Sequence, residues 1–81
     1  MPLERIKQTR MPIIGKNIER LCKEKNIRYI DVIAQLNVKG IDYVTTGIFS
    51  KVIHGLNNPS VEMLIALTKI LNCDFNEFFK Q

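Results

Sequence analysis

The chain has few of the residues from which catalytic and metal sites are built. Its 81 residues include one histidine, His54, two cysteines and no tryptophan. Cys22 and Cys73 lie far apart and do not fit a metal-binding spacing such as C-x-x-C, so we expect reduced, partly buried thiols. No nucleophile elbow or Gly-rich phosphate loop is present. These absences predict a protein that is not an enzyme and that has no metal, cofactor or small-molecule ligand.

Long apolar runs are also missing. No uninterrupted run approaches the roughly 20 residues that a bilayer-spanning helix needs. The first residues alternate charged and apolar side chains, which is not the pattern of a signal peptide. We therefore expect a cytoplasmic protein without a membrane segment.

What the chain does contain is enough apolar sequence for one small domain. The length leaves room for a single core, and a hydrophobic content of 46% argues against disorder. The net charge of +4 is modest evidence for a polyanionic partner. We assign residues 12–81 to the folded domain and residues 1–11 to a basic tail with Arg5, Lys7 and Arg10. This tail is interpreted either as a mobile terminus or as an arm that lies on DNA phosphates.

The segment from Thr45 to Gly55 predicts the helix around which the domain is organised. Thr45 is a suitable N-cap, and Gly55 is a suitable stop because glycine enters the left-handed conformation without strain. Apolar residues at helical spacing form one face, which comprises Phe49, Val52 and Ile53. The opposite side offers a small, uncharged N-terminal tip followed by Lys51. Such a helix is either a reading helix for a DNA major groove or a plain core helix.

Apolar spacing and capping residues predict four further helices and no strand, so the expected class is all-α. The helices are expected from Pro12 to Asn26, from Arg28 to Leu36, from Val61 to Leu71 and from Phe75 to Phe79. The second has an expected inner face of Ile30, Val32, Ile33 and Leu36, followed by a connection over Asn37–Val44. Ser60 is the expected cap of the fourth helix, and Asp74 with Glu77 has the spacing of a capping box for the last one.

Two features leave functional alternatives open. Arg28 is a poor helix cap, so it is interpreted either as a phosphate contact or as a solvated arginine. Phe75, Phe78 and Phe79 concentrate apolar area at the end of a small domain. Part of that area is expected to close the core, and the remainder would suit self-association.

The order of these segments resembles the lambda repressor-like (Cro/repressor, xenobiotic-response-element type) helix-turn-helix family. The resemblance covers about residues 13–79 and is carried by Ile14–Leu21, the helix ending at Leu36, Thr45–Gly55, Asn58–Ser60 and Leu64–Phe79. It implies a five-helix DNA-binding domain that binds palindromic sites as a homodimer, with the third helix in the major groove.

The resemblance also implies roles for individual residues. The positions that read bases correspond to Thr46, Gly47 and Lys51. The positions that bind the DNA backbone correspond to Arg28, Tyr29, Thr45, His54, Asn57 and Asn58. Threonine and lysine side chains can bond to base edges, while asparagine and histidine can bond to phosphate oxygens. The implied function is a sequence-specific DNA-binding repressor.

The sequence departs from the family pattern in three places. The turn between the second and third helices is extended by Gly40–Val44, and Ile33 stands where alanine is usual. Cys22 and Ile53 replace a common Arg–Glu pair, and we expect them to touch, because replacing both charges by apolar groups is tolerated. The tip of the third helix has no side chain that contacts a base in a bidentate way, which favours a second hypothesis of a protein-interaction module on the same fold. A thiol sensor at Cys22 or Cys73 is a third hypothesis.

Overall fold

The computed structural model describes residues 11–81, and within this range the chain is all-helical without a strand. The helices are α1 (Pro12–Glu24), α2 (Tyr29–Val38), α3 (Thr46–Ile53), α4 (Val61–Ile70) and a 3₁₀ helix (Phe75–Phe79). The all-α class is therefore confirmed for this part of the chain. Except for Met11, the predicted basic tail lies outside the described residues.

One core joins all five elements. α1 packs against α3 and the 3₁₀ helix, while α2 packs against α4 and α3. The side chains that fill the core completely include Ile18, Leu36, Phe49, Leu67 and Phe78. The apolar spacing of α1, α3 and α4 predicts these buried faces, because residues three and four apart lie on the same side of a helix.

Local capping determines where α3 and α4 begin and where α1 and α3 end. The Thr45 hydroxyl accepts a hydrogen bond from the Ile48 N–H at 3.2 Å, and the Ser60 hydroxyl accepts one from the Met63 N–H at 3.1 Å. Both predicted N-caps are confirmed. Asn26 and Gly55 have φ values of 55° and 77°, so both ends adopt the predicted left-handed conformation.

The expected inner face of the second helix was partly wrong. Val32 and Leu36 are buried, but Ile33 is only partly buried and Ile30 is 59% exposed. Ile30 precedes Val32 by two residues and so lies about 200° around the helix from it, on the exposed side. The helix also continues two residues beyond the predicted end at Leu36.

The last helix differs from its prediction in type and in capping. It is a 3₁₀ helix, and the Asp74 side chain makes no cap hydrogen bond. The Glu77 carboxylate, expected in a capping box, instead forms ion pairs with Arg20 at 3.2 Å and Lys80 at 3.0 Å. Glu77 therefore links the C-terminal end of the chain to α1.

Asn17 fastens the same junction from within the core. Its side-chain amide donates hydrogen bonds to the carbonyl oxygens of Phe78 at 2.8 Å and Lys80 at 2.9 Å. Its side-chain oxygen accepts a hydrogen bond from Arg20 Nε at 3.2 Å. The only polar side chain buried among residues 11–81 is thus fully used in holding the 3₁₀ helix on α1.

Candidate nucleic-acid interface

α3 is held at close range by α1. A Cβ atom at Gly15 would overlap the backbone carbonyl oxygens of Val52 and Ile53. The glycine in α1 therefore allows the end of α3 to approach closer than any larger residue would permit. On the same side, Gly55 adopts a positive φ, and a Cβ there would lie 2.9 Å from Pro12 Cβ. These two approaches fix the C-terminal end of α3 against the start of α1.

The buried and exposed faces of α3 separate as the sequence predicts. Phe49, Val52 and Ile53 are buried, and the ring of Phe49 packs at 5.3 Å against the ring of Tyr29. The exposed residues of α3 and its flanks are Thr45, Thr46, Gly47, Ser50, Lys51 and His54. These residues include all three predicted base-reading positions.

The N-terminal tip of α3 is open to solvent. Thr46 and Gly47 are exposed, and the only atom near a Cβ built at Gly47 is Thr45 Oγ1, 3.8 Å away. No acidic residue lies in the first turn of α3, and the sequence from Tyr43 to Val61 contains none. The partial positive charge of the helix N-terminus is therefore not neutralised by a side chain of this segment, which suits an anionic partner.

The extended turn before α3 is braced by Asn37 at the end of α2. Its side-chain amide lies within hydrogen-bonding distance of the carbonyl oxygens of Ile33 (2.9 Å), Ile41 (3.3 Å) and Val44 (3.1 Å). The side chains of Ile41 and Val44 are buried in the core. The longer turn is thus anchored at several points directly before the Thr45 cap.

Tyr43 gives the turn a further attachment. Its side chain is half exposed, and its hydroxyl lies 2.7 Å from the Ser60 hydroxyl that caps α4. The hydrogen bond connects residues 17 apart in sequence. It ties the turn before α3 to the loop after α3.

Arg28 and Tyr29 are both used within the domain. The Arg28 guanidinium is highly exposed and forms an ion pair with Asp31, with Nε 3.0 Å from Oδ2. The hydrogen bond to Asp31 also raises the pKa of Arg28 above its ordinary value. Burial raises the pKa of the Tyr29 hydroxyl. Arg28 therefore has a carboxylate partner in a solvent-exposed position, and its assignment as a phosphate contact or as a solvated arginine stays a prediction.

The loop after α3 folds back onto the helix. The N–H groups of Leu56 and Asn57 donate to the Lys51 carbonyl oxygen at 2.8 and 3.3 Å. His54 Nδ1 donates to the Ser50 carbonyl oxygen at 2.8 Å, which leaves Nε2 as the nitrogen for an outside partner. These contacts hold His54 and Asn57 beside the exposed face of α3.

Asn58 connects this loop to the beginning of α1. Its side-chain oxygen accepts a hydrogen bond from the Met11 N–H at 2.9 Å. Met11, directly before α1, therefore lies beside the loop after α3. Asn58 thus has a structural role next to the surface to which the resemblance assigned it.

The three C-terminal phenylalanines do not form one exposed patch. Phe78 is completely buried, so its assignment as a dimer contact is wrong. Phe79 is partly buried, and Phe75 is 40% exposed. The Phe75 ring packs on the other two at 5.5 and 6.1 Å. The three rings mainly cover one end of the core, because the 3₁₀ helix directs the ring of Phe78 inward.

The cysteines have the character of structural thiols. Cys22 is buried, and burial raises the pKa of its thiol to about 11. Burial also raises the pKa of the Cys73 thiol. Raised pKa values reduce the thiolate fraction and do not favour the thiol-sensor hypothesis. Cys22 and Ile53 share the core cluster, and their direct contact stays a prediction.

Residues 11–81 contain no group of three or more His, Cys, Asp and Glu side chains that could hold a metal ion. None of the helices in this range has the length and apolar character needed to cross a membrane.

The chain matches no known protein family, no curated protein and no solved structure.

The roles of two asparagines were not predicted from the sequence. Asn17 and Asn37 make six of the side-chain contacts described above, yet Asn17 resembles an ordinary polar residue of a helix and Asn37 was predicted only as a turn residue. The position of Asn17 within the apolar stripe of α1, beside Ile14, Ile18 and Leu21, was the available signal. A buried amide at such a position needs partners for both its oxygen and its nitrogen.

Proposed function

We propose that this protein is a sequence-specific double-stranded DNA-binding regulator on a lambda repressor-like helix-turn-helix fold, and that it acts as a homodimeric repressor. The observation that carries the proposal is the open N-terminal tip of α3, with Thr46, Gly47 and Lys51 exposed and no acidic residue from Tyr43 to Val61. The five-helix order and the anchored back of α3 support it.

The proposed mechanism is occupancy of a DNA site. The tip of α3 enters the major groove, where the Lys51 ammonium reaches guanine acceptors and Thr46 offers a hydroxyl and a methyl group to base edges. Gly47 allows close approach of the backbone. His54 and Asn57, on the folded-back loop, bind phosphates, and Arg28 does so by exchanging its Asp31 partner for a phosphate. A repressor of this kind would exclude polymerase from an overlapping promoter.

The first experiment is selection from a random duplex library at two salt concentrations. The expected result is an enriched palindrome with half-sites about one helical turn apart, because each copy of a dimer would read one half-site. Affinity for that site should fall steeply as salt rises, because bound phosphates release counterions. Salt-sensitive binding without any enriched sequence would contradict the proposed specificity.

A matched pair of lysine variants then tests the surface. Lys51→Ala should weaken binding to the selected site by about 1–3 kcal/mol, the usual range for a base contact. Lys25→Ala removes the same charge from the end of α1 and should change affinity little, because Lys25 lies beside Asn72 and Asp74. Equal losses in both variants would indicate general electrostatic attraction and would reject α3 as the reading helix.

The second candidate function is a protein-interaction module on the same fold. It is favoured by the short side chains at the tip of α3 and by exposed apolar residues of α2, such as Ile30 and Val38. This candidate predicts no selected DNA sequence. The library experiment therefore separates the two functions.

A further inference from the structure

α4 has an outward face that the core does not use. Val61 and Ile65 are four residues apart and are 65% and 49% exposed, so they form a short apolar stripe. The opposite side of the helix is buried through Met63, Leu64 and Leu67. α4 is therefore apolar on both sides, which is unusual for a helix that faces water on one of them.

Two residues of opposite charge lie beside this stripe. Glu62 is near its N-terminal end and Lys69 is near its C-terminal end. Both lie on the same side of Val61 and Ile65, as the rotation of about 100° per residue requires. Neither residue forms an ion pair within residues 11–81, so both charges are available to an outside partner. Seven residues separate Glu62 from Lys69, about 10 Å along the helix, which is too far for a direct pair in one chain.

We propose that this face of α4, formed by Val61, Glu62, Ile65 and Lys69, pairs with the same face of a second copy of this chain in an antiparallel arrangement about a two-fold axis at Ile65. The axis would place Ile65 against Ile65 of the second copy. The axis lies in the plane between the two helices and is perpendicular to both of them. It reverses the helix direction but leaves the flank that carries Glu62 and Lys69 on the same side of the contact. Glu62 of each copy would therefore lie opposite Lys69 of the other.

The surface is thus self-complementary in both apolar area and charge. A two-fold contact requires a patch that matches itself. An antiparallel helix pair with an acid three residues before its centre and a base four residues after it meets this requirement to within about 1.5 Å along the helix. Lys39 at the end of α2 lines the same shallow depression as Glu62, Ile65 and Lys69, so the end of α2 adjoins this face of α4. The patch is small, so we expect a weak dimer that DNA would stabilise by holding two copies together.

This inference rests on the proposed function only in its expectation of a homodimer, and it is tested without DNA. Sedimentation velocity of the full chain over about 1–200 µM should show a reversible monomer–dimer equilibrium, the range being that of weak association. Only monomer at the highest concentration would overturn the proposal. Because DNA is absent, this failure is distinguishable from failure of DNA binding.

A matched pair of isoleucine variants locates the contact. Ile65→Lys should weaken dimerisation at least about tenfold, because two buried isoleucines would be replaced by two like charges. Ile30→Lys makes the same change at a residue of similar exposure on α2, 59% against 49%, and should leave the dimer unchanged. Both residues are exposed, so both variants are expected to fold. Equal effects of the two variants would overturn the assignment to α4.

Charge reversal tests the antiparallel register. Glu62→Lys and Lys69→Glu should each weaken the dimer by about two- to tenfold, as expected when exposed pairs are replaced by like charges. The double variant E62K/K69E has the net charge of +4 of the original chain and should restore dimerisation. Failure of the double variant to recover would reject the proposed pairing, even where the Ile65 variant is monomeric.

Discussion

The side-chain amide of Asn37 lies 3.1 Å from the carbonyl oxygen of Val44, the residue directly before the cap of α3. The same amide reaches the carbonyl oxygen of Ile41 within the turn. One side chain at the end of α2 therefore helps to fix the path by which the chain enters α3, together with the buried side chains of Ile41 and Val44. A longer connection would otherwise allow α3 more than one position, because loop freedom increases with length.

We expect Asn37→Ala to destabilise the domain by about 1 kcal/mol or more, because the partly buried carbonyl groups of Ile41 and Val44 lose their donor. Amide hydrogen exchange should also become faster at Ile48 and Phe49, whose N–H groups bond to Thr45 in the first turn of α3. Gln35→Ala on the exposed side of α2 is the control and should alter neither property. Unchanged exchange in α3 would show that Asn37 stabilises only α2.

Gly15 and Gly47 should respond in opposite ways to alanine. Gly15→Ala places a Cβ against two backbone carbonyl groups of α3, which can move only if the helices separate. We expect a loss of stability of about 1–3 kcal/mol or more, typical of an overpacked contact. Gly47→Ala meets only Thr45 Oγ1, at an ordinary contact distance of 3.8 Å, and should be neutral or stabilising by up to about 1 kcal/mol, since alanine favours the helix.

Thermal unfolding would measure both changes. A Gly15→Ala variant with an unchanged melting temperature would contradict the close approach of α1 and α3. If Gly47 lies against DNA as proposed, Gly47→Ala should bind the selected site less tightly despite being at least as stable. That combination separates a contact with DNA from a role in folding.

The two neighbouring threonines should separate capping from recognition. Thr45→Ala removes the acceptor of the Ile48 N–H bond and should cost about 1 kcal/mol of stability, the usual value of an N-cap. Thr46→Ala changes an exposed residue of the first turn and should leave stability within about 0.5 kcal/mol. Chemical denaturation measures the difference. If Thr46→Ala then has unaltered affinity for a selected duplex, Thr46 does not read bases.

The link between Glu77 and its cationic partners should make stability depend on pH. Hydrogen bonds from Lys80 and Arg20 hold the pKa of Glu77 below its ordinary value of 4.5. A carboxyl group with a lowered pKa stabilises the fold fully above its unfolded-state pKa, and this contribution is lost as pH falls through the folded-state value. We therefore expect Glu77→Gln to lower the melting temperature at pH 7 and to have little effect well below pH 4.5.

Asp42→Asn is a suitable control for this prediction, because Asp42 forms no ion pair among residues 11–81. It should follow the original chain at both pH values. A Glu77→Gln variant that is equally destabilised at both values would show that its charge is not the stabilising property. The carbonyl contacts of Arg20 and Asn17 would then hold the 3₁₀ helix alone.

Much of this architecture was predictable from local sequence patterns. Helix class, the Thr45 and Ser60 caps, the stops at Asn26 and Gly55 and the buried face of α3 each depend on residues within one or two turns of one another. Such signals depend on the 3.6-residue period and on backbone hydrogen bonds that one side chain can satisfy. For this reason the exposed face of α3, with Thr46, Gly47 and Lys51, was also predictable.

The remaining features depend on contacts between segments that are distant in sequence. Ile30 and Phe78 are both large apolar residues, yet they differ in exposure. The packing of α2 leaves Ile30 exposed, whereas the turn of the 3₁₀ helix buries Phe78. The roles of Asn17 and Asn37 and the partners of Glu77 arise in the same way, because a polar side chain bonds to whatever group the fold brings within about 3 Å. The sequence by itself determined the helices and the face that α3 presents. Only the tertiary structure decided which apolar residues stay exposed and how α3 is held.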